Sequence, residues 1–394
     1  MSAEAERLCN EGLELMTQHR WEEAEEKMHQ AVMHDALSPE LWYNLGKCQF
    51  HQDMYSMAKE SLKYAIERKP DYAEAHALLG SCHYAMHAVW KAIDAFTDAA
   101  CHKRSDEAFN RECVTAIAHC YLAKGEYATG FEEYEYRLKK PNTWNGTQSL
   151  VGKTLLVKAE GGLGDQIFFA RYATMLWELG PGHVIWEIDA PLVKYFQVGA
   201  GYQGPGLQTV KRGDSVEHDY MVHAGSLPYI FGTKMGTIPV FGNAPSYIKN
   251  PKRIGIACSG NPLHPDDHHR SIPLAEFKPL LSSDKDFYFV QKDVRATDIP
   301  ESLPYTHLAV EDVLAMSRWV RSMALVITVD TMTAHLAGAE GVPTWLLLPY
   351  ACDWRWQLEG DRTPWYPCMR IFRQGPDRQW APVIQRVVEE LKNG

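Results

Sequence analysis

Three glycines, Gly12, Gly46 and Gly80, recur every 34 residues, and two alanine series keep the same step: Ala24, Ala58, Ala92 and Ala31, Ala65, Ala99. A period of this length is one supersecondary unit copied along the chain, with each copy burying its apolar face only against the next. Small residues at fixed offsets let two antiparallel helix backbones approach each other. Trp42, Leu45, Leu62 and Pro70 fill out the second unit, and Leu79 and Phe96 the third. A fourth follows after a four-residue slip, with Ala118, Tyr121, Gly125, Gly130 and Tyr134 in the corresponding places. Residues 1–140 are therefore read as a stacked helical array, and chemistry is sought beyond them.

The chain has 394 residues, 45% of them hydrophobic, enough for two or three domains with sizeable cores. No apolar run reaches the 18 or so residues that span a bilayer, and the acidic, helix-patterned start MSAEAERLCNEGLEL is unlike a secretion signal. Nine cysteines without a CxxC pair point away from a disulfide framework and towards a reducing, cytoplasmic location. Cys48, Cys82 and Cys120 share one repeat position, as small packing residues would. A net charge of −10 gives no general attraction for nucleic acid.

A connector rich in Pro, Asn and Gly is read at 141–152. Beyond it, β-rich runs alternate with helix-length segments: TLLVK at 154–158, HVIWEI at 183–188 and DYMVH at 219–223. After a Pro-rich passage from Pro239 to Pro251 come RIGIA at 253–257, FYFV at 287–290, LVITV at 325–329 and TWLL at 344–347. This alternation predicts parallel sheets of βαβ units, in two blocks at 153–250 and 251–394 with a cleft between them. An amphipathic helix carrying Val383, Ile384, Val387, Val388 and Leu391 ends the sequence.

Four places carry candidate chemistry. The run Glu160-Gly161-Gly162-Leu163-Gly164-Asp165-Gln166 lies between the first strand and a helix expected to run to about Leu179. Its glycines admit a ligand to the backbone, and Asp165 fits both an N-cap and a group at the cleft mouth. The second place is Asp330-Thr331-Met332-Thr333-Ala334-His335, again strand into helix, with hydroxyls and a helix start suited to a diphosphate and His335 equally suited to a core. The third is Ser259-Gly260-Asn261, whose amides can face an anion, with Arg270 beyond it for bidentate phosphate contact. The intervening HPDDHH at 264–269 is read as a solvated loop, and no metal site is expected. The fourth is aromatic: Asp353-Trp354-Arg355-Trp356 and Thr363-Pro364-Trp365-Tyr366-Pro367 can stack on a sugar or base, or pack a hinge.

The 34-residue period is that of tetratricopeptide helix pairs. With it, GGLGDQIFFARY, SGNPLHPDDHHRSIPL, ITVDTMTAHLAGA and LPYACDWRW followed by TPWYP resemble bacterial tetratricopeptide-repeat glycosyltransferases. The second half is similar to the lipopolysaccharide heptosyltransferases and, more distantly, to the protein O-linked N-acetylglucosamine transferases. The resemblance spans essentially the whole chain. It implies an α plus α/β fold, a repeat array followed by a GT-B pair of Rossmann-like domains, and metal-independent transfer with inversion from a nucleotide sugar that serves as co-substrate, without a further cofactor. It also implies Asp165 as base and Ser259, Arg270, Asp330, Thr331 and His335 as donor-binding residues. Their neighbours Gly260, Asn261 and Thr333 are read as further donor contacts, and Gly164, Gln166, Gln291 and Trp354 as possible cleft contacts. Two departures from the family pattern stand out: Glu160-Gly161-Gly162 where Glu-Gln is usual, and Met332 where heptosyltransferases carry glycine.

An ionised aspartate can take a proton from an acceptor hydroxyl, and fixed dipoles and cations can meet the charge of the departing diphosphate. Two other functions fit the same residues: a repeat scaffold with a vestigial nucleotide-sugar site, and a glycosyltransferase acting on hydroxylated bases of phage-type DNA. The acceptor on the favoured reading is a protein, peptide or glycan, recruited or merely braced by the repeats.

Overall fold

The computed structural model describes residues 1–139, 141–198, 207–241, 250–264, 266–291, 295, 306–308 and 310–393. The chain divides into two units, Met1–Lys139 and Lys140–Gly394.

The first unit is helical: α1 (Ala3–Thr17), α2 (Trp21–His34), α3 (Pro39–His51), α4 (Tyr55–Arg68), α5 (Ala73–Ala85), α6 (Val89–His102), α7 (Glu107–Ala123) and α8 (Tyr127–Tyr134), packed in consecutive pairs. The glycine series explains the pairing. A Cβ on Gly12 would lie 2.7 Å from Met28 Cε, on Gly46 3.0 Å from Leu62 Cγ, and on Gly80 2.9 Å from Phe96 Cδ1. Residues 28, 62 and 96 are themselves 34 apart, so each glycine of a first helix receives the same side chain of its second helix. All six alanines of the two series are fully buried. Cys48, Cys82 and Cys120 are fully buried too, and burial pushes each thiol up to about 12.

The turn inside each pair repeats as well. His19 (φ 57°), Asp53 (φ 63°) and His87 (φ 60°) take the left-handed conformation, and Gly125 (φ 80°) does so 38 residues after His87. Helices α3 and α5 have 13 residues and α7 has 17, so the four-residue slip is one extra helical turn.

The second unit holds two sheets. The first contains β1 (Thr154–Lys158), β2 (His183–Ile188), β3 (Gln208–Lys211) and β4 (Tyr220–His223) in the order β3-β2-β1-β4, all parallel. Helices α9 (Leu163–Phe169), α10 (Ala173–Glu178), α11 (Val193–Gln197) and α12 (Leu227–Ile230) belong to this half. The second sheet is also parallel, in the order β10-β9-β8-β5-β6-β7. Its strands are β5 (Arg253–Ala257), β6 (Asp286–Phe289), β7 (Thr306–His307), β8 (Leu325–Val329), β9 (Thr344–Leu348) and β10 (Met369–Arg373). With them run α13 (Asp267–Arg270), α14 (Lys278–Leu281), α15 (Val313–Ser322), α16 (Met332–Ala339) and α17 (Ala381–Asn393). Central strands β5 and β8 are buried along most of their length, as parallel strands covered on both faces must be. The core of this half gathers Ile254, Ile256, Phe277, Phe289 and Ile327 with Val383, Ile384 and Val387 of α17.

Three sequence expectations change here. Segment 141–152 is no free connector: the Thr143 and Trp144 amides donate to Met221 O (3.0 and 3.1 Å), Asn142 Oδ1 accepts from the His223 amide (2.8 Å), and Trp144 and Leu150 are buried. The helix expected to reach Leu179 is interrupted by a 3-10 turn at Ala170–Tyr172, where Arg171 Nε donates to the Phe168 carbonyl oxygen (2.8 Å). Strands β3, β7 and β10 were hidden by shortness or by the arginines that interrupt the apolar pattern of β10. Residues 242–249, within the Pro-rich boundary, lie outside the described residues. No described helix is long and apolar enough to cross a membrane.

Candidate functional site

In each sheet the strand order reverses direction at one place: β2 and β4 flank β1, and β6 and β8 flank β5. Crossovers leave such a switch point to opposite faces, opening a crevice at the strand carboxyl ends where α/β ligands bind. Asp165 follows β1, Ser259 follows β5 and Asp330 follows β8. The three strand-end candidates all fall at switch points.

Asp165 does two things. Its Oδ2 accepts from the Gly162 amide at 2.7 Å, capping the start of α9, and its Oδ1 lies 2.7 Å from Arg355 Nη2. Gly161 (φ 66°) makes this possible, because a Cβ there would sit 2.2 Å from Asp165 Oδ2. The Asp165 side chain keeps 30% of its surface open, whereas Arg355 keeps 9%. Behind it, buried Gln166 exchanges two 2.8 Å hydrogen bonds with Asp189, tying α9 to the end of β2. Arg212 pairs with Asp189 (3.0 Å) and donates to Gly161 O (3.0 Å), fixing the glycine loop from its other side.

The start of α16 meets α9. A Cβ on Gly164 would fall 2.7 Å from His335 Cδ2 and 3.5 Å from Met332 Cα, so a glycine is what lets the two helix starts touch. His335 is buried, its Nδ1 3.0 Å from Tyr366 Oη and its ring stacked on Trp356 at 5.1 Å. Burial first, then the Arg355 charge, hold its imidazole down to about 3, so it is neutral. Thr331 caps α16, its side chain accepting from the Thr333 amide (3.3 Å), and Thr333 is buried within the first turn. Burial and then the neighbouring Asp353 charge push the Asp330 carboxyl up to about 7.

Arg270 reaches this cluster from the other strand end, donating through Nη1 to Asp330 O at 3.1 Å. A Cβ on Gly260 would lie 2.9 Å from Arg270 Nη2, so loop and guanidinium are in close approach. The amides of the Ser-Gly-Asn turn, however, are not all open to a ligand. Ser259 N donates to Gln291 Oε1 (3.0 Å), Gly260 N to Ser271 Oγ (3.1 Å), and Asn261 Oδ1 accepts from Leu263 N (3.0 Å). Ser259 Oγ itself accepts from Gln291 Nε2 (2.6 Å). Ser259 and Gln291 thus build the loop rather than project from it.

Two more expectations are corrected. The 264–269 stretch is not wholly solvated: Asp267 is buried and pairs with Arg295 (2.6 Å) and Ser271 Oγ (2.9 Å), because a short helix turns its carboxylate inward; Pro265 lies outside the described residues. Trp354 is only 2% exposed and packs edge-on against Phe168 (5.8 Å) and Trp365 (6.0 Å), so its face is not free to stack on a sugar. The aromatics of this segment form a core.

Comparison with known proteins identifies the repeats of the first unit. The tetratricopeptide-repeat family profile matches residues 15–82. The first unit carries tetratricopeptide repeats. The curated Protein FlbA of Caulobacter vibrioides is 24% identical over 340 residues, covering 71% of this chain and 54% of its own length. The chain thus spans about half the length of this relative. Among solved structures, a crystal structure of MamA is 26% identical over 34% of this chain and 75% of its own, with a TM-score of 0.32. The first tetratricopeptide domain of Spaghetti (RPAP3), bound to an HSP90 peptide, is 18% identical over 30% of this chain and 96% of its own, with a TM-score of 0.28.

Outside the tetratricopeptide repeats, sequence reasoning passed over Arg355, Asp353 and Arg295. Arg355 and Asp353 stood in the DWRW run, where the tryptophans drew the attention. Their i, i+2 spacing before a tight turn was the available signal. Arg295 followed no motif.

Proposed function

We propose that the second unit is a metal-independent, inverting glycosyltransferase that moves a sugar from a nucleotide sugar to an acceptor hydroxyl. The observation that carries this reading is the meeting of two switch-point helix starts: Gly164 against His335, with Asp165 on one side and the Asp330–Arg270 pair on the other. A half-open carboxylate beside a cationic, hydroxyl-bearing helix start suits base and leaving-group stabiliser respectively. The acceptor oxygen forms a bond to the anomeric carbon. The bond from that carbon to the diphosphate breaks with its electron pair, and the acceptor proton passes to Asp165. Arg270, the hydroxyls of Thr331 and Thr333 and the first amides of α16 oppose the charge that collects on the departing nucleoside diphosphate. In the tautomer whose Nδ1 accepts from Tyr366, neutral His335 keeps an Nε2–H to offer.

On this reading the tetratricopeptide repeats bring in a protein or peptide acceptor. An open recess of about 350 Å³ between α4, α5 and α6, lined by Lys63, His76, His83, Lys91 and Asp98, offers both signs of charge.

The test is a screen of nucleotide sugars for stabilisation and turnover, read by mass spectrometry. Asp165→Ala is expected to abolish transfer and leave donor affinity nearly intact by calorimetry. Wild-type turnover in that variant sinks the assigned base. Both Asp165 oxygens are already engaged, which favours one alternative, a repeat scaffold that only holds a nucleotide sugar. A donor-induced thermal shift without turnover would establish it.

A further inference from the structure

Asp165 does not stand alone. We propose that Arg355 and Asp353 are positioning residues that fix the Asp165 carboxylate and keep its charge available, an inference that rests on the proposed transferase reading. Arg355 bridges two carboxylates: Nη2 lies 2.7 Å from Asp165 Oδ1, while Nη1 lies 2.9 and 3.1 Å from the two Asp353 oxygens. Without Asp353, the guanidinium charge would rest on Asp165 alone and oppose its acceptance of a proton. With Asp353 in place, the guanidinium charge is shared between two carboxylates, and Asp165 is held in a fixed geometry.

The bridge is rigid. The Arg355 plane packs over Trp354 (4.4 Å) and Phe168 (4.9 Å), and Asp353 Oδ1 also accepts from the Arg355 amide at 2.9 Å. The turn then closes on Gln357, held at φ 59° and ψ 174°, a region that is essentially glycine's. Cys352 Sγ donates to Gln357 O (3.0 Å) and Arg373 to Trp356 O, so surrounding groups over-determine this backbone. A strained turn whose product is one bridging guanidinium beside the assigned base is the arrangement expected of a site that must hold an oxygen to within a fraction of an ångström.

The experiment is steady-state kinetics on the full chain with Arg355→Met, Arg355→Lys, Asp353→Asn and Asp353→Glu, alone and in an Asp165→Asn background. The expected result is a fall in kcat of about 100-fold for Arg355→Met and about 10-fold for Asp353→Asn, with donor KM unchanged, since a small misplacement of a reacting group costs on this order. Arg355→Lys and Asp353→Glu recover part of the loss, and in Asp165→Asn neither Arg355→Met nor Asp353→Asn costs anything more. If Arg355→Met does not fold, Asp353→Asn carries the same test, since Asp353 lies on the surface at 38% exposure. Wild-type kcat in both, or an equal further loss in Asp165→Asn, overturns the proposal while Asp165→Ala remains inactive. Wild-type turnover in Asp165→Ala, or none in the unmodified chain, overturns the transferase reading instead, and this inference with it.

Discussion

Gly164 and His335 are in contact with no room between them: a methyl group at Gly164 would stand 2.7 Å from the imidazole Cδ2. The ring cannot yield, because Tyr366 holds its Nδ1 and Trp356 lies against its face. Gly164→Ala is therefore expected to force α9 from α16 at a cost of about 1–3 kcal/mol. Calorimetry should show a lowered Tm, and on the proposed transferase reading donor affinity should fall with it. An unchanged Tm would mean that the two helix starts are not locked together.

His335 and Asp330 give opposite pH dependences. The imidazole of His335 is lowered from 6.5 to about 3, so its contribution is complete above pH 6.5 and is lost as pH falls towards 3. The Asp330 carboxyl is raised from 3.8 to about 7, so its contribution is complete below pH 3.8 and is lost as pH rises through 7. Each proton contributes a slope of up to about 1.4 kcal/mol per pH unit. Between pH 4 and 6.5 the two slopes oppose each other, so denaturant titrations should show stability falling with rising pH in His335→Gln and rising with pH in Asp330→Asn. Parallel curves for wild type and variants would contradict both assignments.

The repeat glycines are not equivalent. At Gly12 the obstacle to a methyl group is Met28 Cε, the free end of a flexible side chain, whereas at Gly80 it is the ring of Phe96. Gly80→Ala should destabilise the repeat unit by about 1–3 kcal/mol, while Gly12→Ala should be close to neutral, helix propensity offsetting a small adjustment. Urea midpoints of the two variants decide this. A Gly12→Ala loss as large as that at Gly80 would refute it.

Gln357 occupies a backbone region where a side chain is costly. Gln357→Gly should stabilise the second unit by about 1 kcal/mol through relief of that strain. If the turn exists to hold Arg355, kcat should not rise with stability. Destabilisation would mean that the side chain contributes more than the strain costs.

The sequence made the helical array fully legible, because Gly46, Leu62 and their equivalents recur at a fixed step that only one packing satisfies. Strands β1, β2, β5 and β8 were legible from apolar runs bounded by turns. Strand β10 was not, since Met369-Arg370-Ile371-Phe372-Arg373 alternates charge with bulk and its burial comes from long-range contacts. Strand-end positions of Asp165, Ser259 and Asp330 could be read from local pattern alone. That Asp165 would be met by Arg355, 190 residues along the chain, could not. Trp354 shows the opposite error: an aromatic in a loop looks like a platform until the neighbours that cover it, Phe168 and Trp365, are in place.

The added turn of α7 has a mechanical consequence. Its last residues keep step with the earlier pairs at a spacing of 38, so the surplus lies at its beginning, around Glu107–Asn110. Four residues advance a helix by about 6 Å and leave it roughly 40° from a whole number of revolutions. Counted from its end, the first turn of α7 therefore has no counterpart in α3 or α5. Translation along the stack stops being a symmetry there, and a neighbour shaped for one repeat cannot be exchanged for a neighbour shaped for the next.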